Sequence, residues 1–180
     1  MRGKELMREK FMRLAIEKAR EGIRKDQTPF GACVVKDGRV ISCEHNVVRK
    51  QSDSTAHAEM MAIRKAHSKL RTIDLSTCEI YSTCEPCPMC FSACHWAKIS
   101  KITYGATLKD SKKCGFNEFE ISSEQMKRSG RSKIKIEAGV MSKECKDLLE
   151  EWKQRKARAK TSEMCASLVH GGGGSCFVDC

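Results

Sequence analysis

The sequence predicts an α/β fold of three layers, with helices on both faces of a mixed five-stranded sheet. Three observations lead there. Two short apolar runs close over the turn dipeptide Asp37-Gly38, which is the pattern of an antiparallel hairpin. Further strand-like runs are separated by helical stretches, which calls for parallel crossovers in a sheet covered on both faces. Amphipathic helical spacing opens and closes the folded part of the chain.

The elements follow in order. Residues 4–22 place Met7, Phe11, Leu14, Ala15 and Ala19 at helical spacing, with Lys18 the one polar interruption and Gly22 the stop. In the hairpin "TPFGACVVKDGRVISCEHN", Val34 and Val35 lead into the turn and Val40 and Ile41 return. Residues 53–70 read as a second helix, capped by Asp53, Ser54 or Thr55 and carrying Met60, Met61, Ile63 and Leu70. "CEIYSTC" (78–84) is a short buried strand, and residues 86–99 form a third helix that opens on proline. "KITYGAT" (101–107) and the alternating "SKIKIEAGV" (132–140) are the last two strands, and residues 142–160 the closing helix. This makes residues 1–160 one catalytic-size domain without internal repeats. The stretch 161–180, with four consecutive glycines and no periodicity, reads as a flexible tail.

Composition narrows the classes. The chain has 180 residues, 40% of them hydrophobic and 32% charged, as expected of a globular protein with its own core. No apolar run approaches a membrane span and no signal peptide is evident, so a cytoplasmic location is expected. In that reducing compartment the 12 cysteines are expected to be thiols or metal ligands rather than a disulfide framework, most of them small buried hydrophobes. The net charge of +11 is concentrated at 127–135 and 153–160, which suits either a polyanion partner such as tRNA or simply solvated lysine-rich faces.

The chemistry lies in "YSTCEPCPMCFSAC", residues 81–94. Cys87 and Cys90 are three apart on the first turn of a helix, facing one way, where the positive helix end favours thiolate. His57, near the start of the preceding helix, supplies a third zinc ligand of the preferred kind. Three protein ligands leave one tetrahedral position for water, the mark of a catalytic zinc. Glu59, two residues beyond His57, is placed to take a proton from that water and pass it to a leaving amine. Histidine, glutamate two on, and a downstream proline with C-x-x-C together form the signature of zinc nucleobase deaminases. Two other metal readings stay open: a closed structural zinc that adds Cys84, and an iron–sulfur cluster. Cys94 sits one turn past Cys90 and is expected to pack. His45, His67 and His95 have no evident partner.

The segments "PFGACVVKDGRVI", "HNVVRKQSDSTAHAEMMAIRKA", "YSTCEPCPMC", "HWAKISKITYGA", "GFNEFEI" and "ECKDLLEEWKQR" resemble the cytidine deaminase superfamily over residues 5–155. The likeness is greatest to its guanine and nucleoside deaminase branch. The resemblance implies the cytidine-deaminase-like fold, one Zn2+ per subunit on His57, Cys87 and Cys90 with water or hydroxide as fourth ligand, and Glu59 as proton shuttle. It further implies substrate contacts from Asn46, the backbone amide of Ala58, Phe30 and Trp96, and a homodimer. Asn46 also suits the end of a strand, and Phe30 and Trp96 are equally core candidates.

Three departures from the branch stand out. Gly115-Phe116-Asn117-Glu118 replaces its "GFDD", so Glu118 keeps the charge on a longer arm. Ser54 replaces a proline. The branch can close its pocket with an aromatic residue of a swapped C-terminal segment, but after Trp152 the next aromatic here is Phe177, so that lid is missing or rebuilt. The expected function is hydrolytic deamination of a purine base, guanine to xanthine, or of its nucleoside. The alternatives are a tRNA adenosine deaminase, then a cytosine deaminase, and outside catalysis a zinc-stabilised RNA-binding module.

Overall fold

The structure, a computed structural model, describes residues 2–170. Its sheet has five strands in the order β2-β1-β3-β4-β5. β1 (Gly31–Lys36) pairs antiparallel with β2 (Arg39–His45) and with β3 (Cys78–Cys84), whereas β3, β4 (Lys101–Ala106) and β5 (Lys135–Ala138) run parallel. The expected mixed sheet is therefore present. Asp37 and Gly38 both take positive φ, 48° and 73°, as the two-residue turn between β1 and β2 requires.

Each face of the sheet carries its own core. On one side α3 (Ala58–Leu70) and α4 (Pro88–Trp96) bury Ala62, Ile63, Ala66, Phe91 and Cys94 against Val34, Ile80 and Ile102. On the other, α1 (Arg2–Arg24) and α7 (Ser142–His170) bury Met12, Ala15, Ala19, Leu148 and Leu149 against Cys33, Val35 and Tyr81. The three expected layers follow from these two faces. Gly31 lets α1 lie directly on β1: a Cβ there would collide with the Ala15 carbonyl oxygen and come within 2.8 Å of the Ala19 nitrogen.

Several expectations change. α1 runs past Gly22 to Arg24, and short helices α2 (Val48–Gln51), α5 (Leu108–Lys113) and α6 (Ser123–Ser129) fill stretches in which none was expected. Their brevity leaves too few turns for a periodic signal. α7 continues to His170, so residues 161–170 extend the closing helix, while the glycine run and the rest of the tail, 171–180, lie outside the described residues.

α3 begins at Ala58 rather than at residue 53. The Asp53 carboxylate accepts from the Thr55 amide (2.8 Å) and hydroxyl (2.7 Å), which spends it on a local turn instead of a helix cap. Cys33 and Cys43 form a disulfide, against the expectation that all cysteines are thiols or ligands. The strand register sets them directly opposite each other, with Cα atoms 4.0 Å apart. Cys78, Cys84, Cys94 and Cys145 are buried free thiols, as expected. No described helix is long and apolar enough to cross a membrane.

Candidate active site

The site sits where the end of β3 and the starts of α3 and α4 come together. β3 stops at Cys84, and Cys87 becomes the N-cap of α4, with Pro88 opening the helix. His57 is the N-cap of α3 in extended conformation, and neither helix start has a side-chain cap. The two helix N-termini point three ligands at one spot. His57 Nδ1 is 3.7 Å from Cys87 Sγ and 3.6 Å from Cys90 Sγ, and the three ligand atoms all lie within 4.8 Å of one another. Zinc at its usual bond lengths and tetrahedral angle holds nitrogen and sulfur about 3.6 Å apart, so the donor set fits zinc without rearrangement.

The four cysteines of residues 81–94 are thereby sorted. Cys84 faces the α1/α7 layer, is buried, and lies 3.6 Å from the Thr107 carbonyl oxygen as a thiol donor, so it is not part of the cluster. Cys94 packs in the α3/α4 core. Among the described residues, no other group of three such side chains is placed to hold a metal. His45, His67 and His95 each bond elsewhere, to the Asn46 carbonyl, the Thr72 carbonyl and the Ser132 hydroxyl.

Electrostatics match the donor set. The Cys90 thiol, and after it His57, draw the Cys87 pKa down to about 4 against the opposing effect of burial. Cys90 is correspondingly pushed well above the ordinary thiol value by the neighbouring Cys87 and by burial. The Cys87 sulfur raises His57, again against burial.

Glu59 lies on the first turn of α3, 5% exposed. Burial raises its pKa. One carboxylate oxygen, Oε2, is 3.6 Å from Cys90 Sγ, and the other, Oε1, accepts the Ser82 hydroxyl at 3.0 Å. Asn46 is buried: its Oδ1 accepts the Val48 amide (3.1 Å) and its backbone amide donates to the Phe30 carbonyl (3.0 Å). Ala58 is the first residue of the uncapped α3, so its N–H is one of the donors a helix start leaves unpaired.

Phe30 is half-buried and meets Phe116 edge-on at 4.9 Å. Phe116 in turn stacks on Trp152 at 4.6 Å, and Lys156 lies over the Trp152 ring at 5.0 Å. Glu118, two residues on, accepts the Ser111 hydroxyl at 3.0 Å. Burial raises its pKa against the lowering effect of the Ser111 hydrogen bond, with the Cys87 charge adding to the shift and His57 opposing it. It also lines a cavity of about 960 Å³ with Tyr104, Thr107 and Phe119 that includes none of the three ligands.

Trp96, equally a core candidate from the sequence, is not part of the core: it is 81% exposed at the far end of α4, against His95. The sequence reading also passed over Glu85, Ser82, Ser111 and Phe116. The buried Glu85 carboxylate accepts the Ser123 amide (2.8 Å) and the Leu108 amide (3.3 Å), tying the starts of α6 and α5 to the end of β3. A charged residue between a buried strand and the "PCPMC" turn was the available signal.

Residues 6–106 match the model of the cytidine and deoxycytidylate deaminase zinc-binding region, a stretch that contains His57, Glu59, Cys87 and Cys90. The chain belongs to this deaminase family. Its members hydrolyse C–N bonds, and its cluster of one histidine and two cysteines is compatible with the zinc they bind. A guanine deaminase of Bacillus subtilis (strain 168) is 42% identical over 117 residues, which are 64% of this chain and 75% of that protein. A tRNA-specific adenosine deaminase of Aquifex aeolicus (strain VF5) is 42% identical over 99 residues, 55% of this chain and 66% of that protein. The solved structure of a guanine deaminase from Nitrosomonas europaea superposes with a TM-score of 0.76 at 31% identity, covering 81% of this chain and 84% of that one.

Proposed function

We propose that this deaminase acts on a free purine base, guanine in the first place, releasing ammonia and leaving xanthine, with one zinc per subunit on His57, Cys87 and Cys90. The observation that carries the reading is the buried Glu59 carboxylate, whose Oε2 is 3.6 Å from Cys90 in a cluster with zinc-matching separations. Bound there, zinc supplies the acidity that makes a water nucleophilic near neutral pH.

The chain's own residues do the rest. Glu59 Oε2 takes the proton that the attacking water loses as a C–O bond forms at the amino-bearing ring carbon. It gives that proton to the ring nitrogen whose C=N bond opens, then carries the remaining hydroxyl proton to the amine nitrogen as the C=O bond forms and the C–N bond breaks, so Glu59 ends the cycle as it began. Asn46 and the Ala58 N–H donate to the acceptor edge of the base, the helix end adding its positive field at the carbonyl. Glu118 accepts from the base's amino and ring N–H groups. Phe30 packs the ring face, held by the Phe116 and Trp152 rings.

A second reading, deamination of adenosine in tRNA, is favoured by one observation: Lys153, Arg155, Lys156 and Arg158 are exposed on α7. A panel of guanine, guanosine, cytosine, adenine and tRNA, read by ammonia release, tests both. Guanine turned over fastest, indifferent to added RNA, supports the free-base reading. Release from tRNA alone, weakening steeply with salt as phosphate contacts are lost, would replace it with the second. Cytosine as best substrate would overturn both.

A further inference from the structure

Ser82 is anomalous for its place. It lies inside the central strand β3, between partners Ala32 and Tyr104, and is 1% exposed. The same face of β3 carries Cys78 and Ile80, both in the apolar α3/α4 core. A hydroxyl in such a position is costly unless it is bonded. Its bond goes to Glu59 Oε1, 3.0 Å away and 23 residues distant in the chain.

The two oxygens of Glu59 therefore differ: Oε1 is held by Ser82, and Oε2 is turned toward Cys90. We infer that Ser82 is a positioning residue that fixes the Glu59 carboxylate by holding Oε1, so that Oε2 alone exchanges protons with the substrate and the attacking water. This rests on the proposed role of Glu59. The hydroxyl suits the task because Oε1 is an acceptor in both states of the cycle, as part of the carboxylate and as the carbonyl oxygen of an acid protonated on Oε2. The bond persists while the proton comes and goes. Oε2 keeps one direction throughout, and no rotation of the carboxyl group is needed between taking the proton and giving it up.

The experiment uses the full zinc-loaded chain with Ser82→Ala, Ser82→Thr, Ser82→Val and Glu59→Gln. Turnover is measured on whichever compound of the substrate panel the wild type deaminates fastest. Ser82→Ala and Ser82→Val should lower kcat roughly 10- to 100-fold, the range for losing a hydrogen bond to a charged group, and leave KM and zinc content near wild type. Ser82→Thr, equal in shape to Val but bearing the hydroxyl, should recover most of the loss. Crystal structures of the metal-free proteins give a readout independent of activity: Glu59 in one orientation in the wild type and Ser82→Thr, rotated or divided in Ser82→Ala.

The inference is overturned by wild-type kcat in Ser82→Ala, by a loss confined to KM, by Thr no faster than Val, or by an unmoved Glu59 in the Ala crystal. If Ser82→Ala does not fold, the Thr and Val pair decides. Should Glu59→Gln remain active, the reading of Glu59 itself fails. Should it be inactive while Ser82→Ala matches the wild type, only the role of Ser82 fails. If the wild type releases ammonia from no compound of the panel, the crystals still decide whether Ser82 orients Glu59.

Discussion

Replacing Glu59 by glutamine keeps the side-chain shape and removes the ability to carry a proton. Positioned general acid–base groups contribute roughly 10²- to 10⁴-fold, so kcat should fall by that factor, a barrier increase of about 3–5 kcal/mol. Stability should move the other way or not at all. Glu59 is 5% exposed, and burial already disfavours its charge. In Glu59→Gln the amide oxygen can still accept from Ser82, and the amide N–H can face the Cys90 sulfur, so no polar atom is orphaned. The expected result is an inactive protein with wild-type zinc content and a Tm at or above that of the wild type. Ammonia release, metal analysis and a thermal melt check it on one preparation. Activity within tenfold of wild type would refute the proton-transfer role. Lost activity with lost zinc or a lower Tm would refute the claim that the effect is chemical.

The metal centre predicts a clean division among cysteines: Cys87→Ala and Cys90→Ala should bind zinc poorly, whereas Cys84→Ala should retain one zinc per chain, checked by metal analysis after dialysis. Gly31→Ala should destabilise by about 3 kcal/mol, a fall of roughly 6–12 °C in Tm, because the new methyl meets the α1 backbone rather than a side chain that can turn away. An unchanged melt would show that α1 can shift.

Burial alone would raise Glu137, but Lys101 at 2.6 Å and Arg8 outweigh it and hold its carboxyl below the ordinary 4.5. A depressed folded-state value means stability that is present above 4.5 and lost as pH falls through the lower folded value. Glu137→Gln should therefore cost about 1 kcal/mol or less at neutral pH, given partial exposure. That difference should vanish in acid, and a constant difference across thermal melts from pH 7 to pH 3 would contradict it.

Much of the site was legible because its signals are local. Cys87 and Cys90 are one turn apart whatever the rest of the chain does, and His57 and Glu59 are two apart at a helix start. Local spacing misplaced that start, since Asp53 looks like a cap but bonds Thr55 within its own turn. Trp96 looks like a pocket aromatic in the motif, yet its direction follows from the phase of α4, which turns it to solvent. Short helices α5 and α6, and the Glu118 segment they frame, carried no periodicity to read. Glu85 fastens both helices through backbone amides, a bond type that leaves no trace in residue pattern.

By itself, then, the sequence determined the layered mixed sheet and picked out the zinc-type donors His57, Cys87 and Cys90 with a glutamate two residues beyond the histidine, because hydrophobic periodicity and short spacings act over a few residues. Only the tertiary structure decided that Cys84 turns away while Cys87 and Cys90 meet His57, that Cys33 faces Cys43, and that Phe30 rests on Phe116 and Trp152. It alone brought Ser82 to Glu59. Those outcomes depend on strand register and on how two helices seat on one sheet, which set distances between residues that the chain itself keeps far apart.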